Sequence, residues 1–423
     1  QMYPDKKLFI YEPDLDLFLA AIEQVDLRPV LDHRQVAMFA VGKESGVHEQ
    51  MLVDILSHAK GSFSFLAPPV YRKWHAELLQ IFTERARNTA VSYIANDNTL
   101  LAFRKEWFEN VFVNLGRNLR TRSFRGLQDS CAGVPAVIAG SGPSLGMEMD
   151  HLRTVRDRIL LIAAGSSIQP LLHHGVEPDL IVSIDAGNAN YRVFRQIDVS
   201  HIPFLYVPML KHTAILDDQS PWLMHAYFGN DTLADELMQL GDEDVVMEST
   251  ATVTGTAIQA AAWMGCRDIV LIGQDFSYPD NQIYSQGVAH VSDQWHKKKL
   301  ETEAVLQVPN VSGGENRTSH SLMVLKRSTE SIMARIPGVR FYNASPVGAV
   351  IEHTSRLSLA QLPERLSASP QPPDWFKSLV EERTKPISQE RRAGIHERID
   401  RYAKAHVSWV DEFRRLEDQV QAA

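Results

Sequence analysis

The chain has 423 residues, more than one ordinary core organises, so two or three domains are expected. It is 44% hydrophobic and 22% charged, the composition of a soluble globular protein, and its net charge of −9 argues against nucleic acid or an anionic membrane as main partner. Two cysteines without metal-ligand spacing fit a reducing, cytoplasmic setting, and no apolar run reaches the ~20 residues that a bilayer requires. The polar opening QMYPDKK does not read as a signal peptide, and because it begins with Gln the natural N-terminus is expected to lie upstream.

Residues 1–128 read as a first, smaller Rossmann-like α/β unit. Short β-branched or aromatic runs predict buried strands over 7–13, 36–42 and 62–67. Helical patterns fall at 15–25, 48–59, 71–82 and 100–115, an alternation that predicts a parallel sheet with crossover helices. Glu12 closes the first strand, as an acidic residue closes the second strand of a Rossmann-like unit. The glycine loop expected to precede it would lie before Gln1; either it was lost or this half never bound a nucleotide, and the structural role is favoured.

Residues 129–355 alternate more cleanly. Strands are predicted at 134–140, 159–165, 179–185, 203–208, 223–229, 268–273 and 339–345. Helices are predicted at 252–265, where Gly265 marks the stop, and at 320–336. This is a doubly wound α/β domain, and such sheets bind ligands at the carboxyl ends of their strands. Residues 356–423 carry no convincing strand. A Pro-rich linker at 368–375 leads to a charged helical pattern that predicts a packed helical region.

The turn after the first central strand reads Gly140-Ser141-Gly142-Pro143-Ser144-Leu145. Its glycines allow close backbone approach, Pro143 presets a helix start, and the helix N–H groups beyond it favour an anion. It spells neither GxGxxG nor the P-loop, so a plain strand-to-helix turn remains as good a reading as a ligand loop. Other strand ends add small polar residues: Ser166, Asp185 with Asn188, and Asp275. Together they suit a ligand bearing phosphate and ribose. Thr252, Thr254 and Gly255 open the Ala-rich helix, where a cap can also donate to a phosphate.

The segments AGSGPSL, SIDAGNANY, TGTAIQAAAWMGCRDIVLIGQDFSY and FYNASPVG, spread over about 134–350, resemble bacterial Maf proteins, the motility-associated factor glycosyltransferases. Several are also similar to AGNGPSL, ITSG and SGIDFY blocks of bacterial sialyltransferases that use CMP-sialic acid. The resemblance implies a sialyltransferase-like central domain flanked by a smaller α/β domain and a helical tail. It implies transfer of pseudaminic or legionaminic acid from a CMP-activated donor to Ser/Thr of flagellin, with no metal or other cofactor required and no nucleic acid or membrane insertion. Under it, Gly140–Leu145 cradles CMP, Asp185 or Asn188 faces ribose or cytosine, and Thr254 meets phosphate. Ser166, Gly255, Asp275 and Ser345 complete the binding set, and Tyr278 and Tyr284 steady the leaving group. Ala251 falls where the sialyltransferases carry an arginine; Arg317, Lys326 or Lys297–Lys299 are its candidate substitutes. A histidine suits the role of base toward the acceptor hydroxyl, with His320 slightly preferred to His290. Two other readings stay open: a pterin-type pyrophosphokinase using Mg-ATP on Asp185 and Asp275, and a sugar-nucleotide-binding module without chemistry.

Overall fold

The computed structural model describes residues 6–42, 51–52, 54–56, 64–366 and 369–421. Residues 1–103 form one compact unit and residues 104–423 a second.

In the smaller unit, strands β1 (Leu8–Glu12) and β2 (Val36–Val41) run parallel, joined through the helix Leu15–Gln24. Asp14 caps that helix by accepting from the Leu17 amide at 3.1 Å. Glu12 acts structurally, since its Oε1 accepts from the Asp14 amide at 2.8 Å and from the Tyr71 hydroxyl. The strand expected over 62–67 does not form in its described part, 64–67. Pro68 and Pro69 lack the N–H groups that would extend it, and a helix starts at Pro69. The helix expected at 48–59 lies largely outside the described residues. The patterns at 71–82 and 100–115 resolve into a short helix, Pro69–Trp74, and one long helix, Ala76–Asn118, which has no proline or glycine before Gly116 to stop it. The two units divide inside this helix, so residues 104–128 belong with the central sheet, as do residues 356–423.

The larger unit is built on nine parallel strands. In chain order they are β3 (Arg122–Ser123), β4 (Ala136–Ala139), β5 (Leu160–Ala164), β6 (Leu180–Ser183), β7 (Phe204–Tyr206), β8 (Leu223–His225), β11 (Asp268–Ile272), β14 (Arg340–Asn343) and β15 (Thr354–Arg356). In space they run β15-β14-β11-β4-β5-β6-β7-β8-β3. All seven predicted central strands are present. The run 223–229 breaks at Ala226, and its second half, β9 (Tyr227–Phe228), pairs with β10 (Val246–Met247) instead. An antiparallel hairpin, β12 (Leu306–Pro309) and β13 (Glu315–Thr318), was not expected from the sequence.

Both faces of the sheet are covered, which is why its strands are apolar without alternation. Ala136, Ile138, Leu160 and Ile162 pack toward the helices Val253–Trp263, His320–Arg335 and Trp375–Arg383. Val137, Ala139, Leu161 and Ala163 pack toward Met149–Val155, Ile168–His173 and Asn188–Phe194. Gly265, at φ +89°, follows the end of Val253–Trp263, where the sequence places a stop. The helical tail runs through Gln389–Gln421.

Candidate functional site

From β4 the chain steps outward through β5, β6, β7 and β8, then returns to the other flank of β4 with β11. The strand order therefore reverses between β4 and β11, and a crevice opens at their carboxyl ends. The glycine turn follows β4, and Gly273–Tyr278 follows β11.

At the reversal itself the protein binds its own groups. A Cβ on Gly142 would lie 2.5 Å from Asp275 Oδ2 and 2.7 Å from the Gly273 carbonyl, and one on Gly140 would lie 2.5 Å from that same carbonyl. These glycines let the two loops interlock. The Ser144 amide donates to Asp275 Oδ2 at 2.8 Å, and the Ser144 hydroxyl donates to Oδ1 at 2.5 Å. The Ser345 hydroxyl donates to Oδ1 at 2.6 Å and accepts from the Gly348 amide at 2.8 Å. The Asp275 carboxylate thus fills the place expected for a ligand anion. Burial pushes its carboxyl up, against the opposing bonds from Ser144 and Ser345. Pro143 and Leu145 are buried. Of the residues expected in the donor-binding set, Gly140, Gly142, Ser144, Asp275 and Ser345 thus bond or pack against one another.

One strand further, the groups stay open. Ser166 donates to the Ser141 hydroxyl at 3.0 Å, and both side chains are partly exposed. Asp185 follows β6. It is exposed, and its carboxylate has no partner among the described residues. Desolvation raises its carboxyl above the ordinary range. Asn188 is exposed at the start of Asn188–Phe194.

The segment after β11 crosses this end of the sheet. The Ser285 amide donates to the Ser141 carbonyl at 2.8 Å, and the Ala289 amide to Gln169 Oε1 at 3.0 Å. Tyr284 lies among rings, 5.6 Å from His290 and from His296 and 6.4 Å from Trp295 between centroids. Burial raises its hydroxyl, and the charges of Tyr278 and Asp185 add to that.

His290 is held in one tautomer. Gln169 Nε2 donates to the Val193 carbonyl at 3.0 Å, which turns Oε1 toward the Ala289 amide and toward His290 Nδ1, at 2.9 Å. Nδ1 therefore carries the proton and Nε2 keeps its lone pair. Burial, reinforced by Arg192 and His296, brings this imidazole down to about 4, so it is neutral at pH 7. A base oriented by a second group is the arrangement proton abstraction needs.

The other predicted residues are more dispersed. Tyr278 is buried and bonds the Ser319 hydroxyl at 3.1 Å, and Ser319 caps His320–Arg335 by accepting from Leu322 at 3.2 Å. His320 is exposed at the first position of that helix. Thr254 is buried, with its amide donating to the capping Thr252 hydroxyl at 2.9 Å. Gly255 makes room for Thr250. The start of this helix lies beside β5: a Cβ on Gly165 would be 3.4 Å from Val253. Of the substitute cations, Arg317 serves the carbonyls of Ala304 and Leu300, Lys326 pairs with Glu330 at 2.6 Å, and Lys299 pairs with Glu303 at 2.9 Å. Lys297 and Lys298 are exposed.

Sequence reasoning missed the groups that shape the β6–β7 side. Asn110 and Asn114 lie one helical turn apart, fully buried on Ala76–Asn118. Asn110 donates to the Ala186 carbonyl at 3.0 Å, and Asn114 to those of Pro208 and Leu210 at 2.8 and 2.7 Å. The i, i+4 repeat of buried-side asparagines was the available signal. It missed Gln169 too, for which no local signal exists. Phe276, at φ +44°, is a bulky residue in the left-handed region beside Asp275, and such strain concentrates at functional turns.

Residues 109–281 match a family model described as 6-hydroxymethylpterin diphosphokinase MptE-like. A solved structure of a Maf glycosyltransferase from Magnetospirillum magneticum AMB-1 superposes with a TM-score of 0.64 at 21% identity over 93% of this chain. The chain shares that protein's fold. It spans 60% of that protein's length, and at this identity the likeness is one of fold. No curated protein sequence matches the chain. Among the described residues no helix is long and apolar enough to cross a membrane.

Proposed function

We propose that the chain is a glycosyltransferase that moves a nonulosonic acid, pseudaminic or legionaminic, from a CMP-activated donor to a Ser/Thr hydroxyl of flagellin, in support of flagellum assembly and motility. The observation that carries this reading is the set of groups left open at the carboxyl ends of the sheet in a fold shared with a Maf glycosyltransferase: Asp185, unpartnered among the described residues, the paired hydroxyls of Ser141 and Ser166, and His290 in the tautomer of a base. In this reading Ser141 and Ser166 meet the donor phosphate, and Asp185 and Asn188 meet ribose or cytosine. His290 Nε2 takes the acceptor hydroxyl proton as that oxygen bonds the anomeric carbon. The bond from that carbon to the phosphate oxygen breaks, and CMP leaves with the electron pair. His290 replaces His320 as the preferred base because only His290 has an orienting partner.

The diphosphokinase reading draws support from the family model over 109–281. It needs Mg²⁺ on Asp185 and Asp275, and both oxygens of Asp275 are already engaged by Ser144 and Ser345. Titration calorimetry with CMP and with ATP, each with and without Mg²⁺, separates the two. Metal-independent CMP binding that weakens at least tenfold in Asp185→Ala is expected. A preference for Mg-ATP with no response to CMP would replace the glycosyltransferase reading with the kinase one.

A further inference from the structure

A cavity of about 290 Å³ lies beyond the sealed turn, beside the loops after β14 and β15. That is near the lower end of small-molecule sites. Ala344 and Leu357 line its apolar part, and Glu148, Arg356, Ser358 and Gln361 supply the polar groups. No step of the proposed transfer uses any of them.

Glu148 is 6% exposed, and its buried Oε2 makes no hydrogen bond. That oxygen lies 3.6 Å from His151 Nδ1. A buried carboxyl oxygen without a donor is costly unless a partner arrives. Burial accordingly raises the Glu148 carboxyl, while His151 and, more weakly, Arg356 oppose the shift. Arg356 forms no ion pair among the described residues. Its NH1 donates to the Ser345 carbonyl, and Ser345 is itself fixed by Asp275. The guanidinium is thus anchored at one nitrogen, with donors left over, which lowers the ordering cost of binding.

We propose that this cavity is a second ligand site, for a small polyhydroxy acid whose carboxylate meets Arg356 and whose hydroxyls donate to Glu148. The pairing follows from the donor inventory. A guanidinium takes a carboxylate through two parallel bonds, and a buried carboxyl acceptor takes a hydroxyl. Ser358 and Gln361 add a hydroxyl and an amide for the rest of a short polyol chain.

The probe is gluconate, titrated calorimetrically into the full chain, with glucose and inorganic phosphate as controls. Saturable gluconate binding is expected, at least tenfold tighter than either control, because glucose lacks the carboxylate and phosphate lacks the hydroxyl chain. Arg356→Met and Glu148→Gln should each weaken it at least tenfold while leaving CMP binding unchanged. Arg356→Lys, which keeps charge but loses the paired donors, serves in place of Arg356→Met if that variant does not fold. Gluconate binding no tighter than that of glucose or phosphate, or binding within threefold of the parent in either variant, overturns the proposal. Neither result depends on whether CMP binds, so the failure of this site and the failure of the transferase reading are separately visible.

Discussion

Two neighbouring strand ends carry the same kind of residue and use it in opposite ways. After β4 and β11, Gly140, Gly142, Ser144, Asp275 and Ser345 satisfy one another, and the carboxylate of Asp275 stands where an anion was expected. After β5 and β6, Ser166 and Asp185 keep free valence toward the crevice, and Asp185 has no partner among the described residues. Small polar residues at strand ends therefore do not by themselves say which groups the fold leaves unpaired. What separates the two cases is whether another loop of the chain has already supplied the partner.

The sharpest way to break this contrast is at the open end. His290→Gln should lower transfer by about 10²–10⁴ in kcat with CMP affinity retained, the usual cost of a lost general base. His320→Ala should leave kcat within a few-fold. The reverse pattern, measured with purified flagellin as acceptor, would hand the base to the helix His320–Arg335. At the sealed end the effect should appear in stability instead. Asp275→Ala removes the acceptor of three hydrogen bonds in a buried network and should cost about 3 kcal/mol in urea unfolding. A variant of unchanged stability that no longer binds CMP would show that this turn faces ligand after all. Gly142→Ala should cost about 1–3 kcal/mol, because its new methyl meets backbone as well as the Asp275 carboxylate.

The smallest effect sharpens the contrast through pH. His225 is 1% exposed and burial pushes it down to about 3, well below its unfolded value near 6.5. Below that value the unfolded chain takes up a proton that the folded chain refuses. The stability His225 contributes is thus complete above about pH 6.5 and is lost as pH falls toward 3, at about 1.4 kcal/mol per pH unit. His290 titrates in the same direction, down to about 4. Thermal unfolding between pH 7 and 5 should therefore show falling stability, with a shallower slope in His225→Gln. An unchanged slope would mean that this imidazole charges within the fold.

Much of the architecture was readable from the chain. Seven central strands stand where short apolar runs put them, because a parallel sheet covered on both faces leaves an uninterrupted apolar signature. The helix 253–263 and the positive φ at Gly265 were equally legible. Local chemistry also misled. The run expected as a strand at 62–67 forms none in its described part, 64–67, just before Pro68 and Pro69, and the run at 223–229 hid a switch from one sheet to another at Ala226.

For the site, sequence by itself determined the strand ends and the glycine turn between β4 and the helix after it, since strand periodicity and residue type need no knowledge of the rest of the chain, whereas the two candidate histidines came from the family resemblance. Only the tertiary structure decided which of those groups are free. Asp275 and Ser144 are 131 positions apart, Gln169 and His290 are 121, and Asn110 and Ala186 are 76. A hydrogen bond over such separations is set by where the folded sheet brings two loops together, and no local pattern records it.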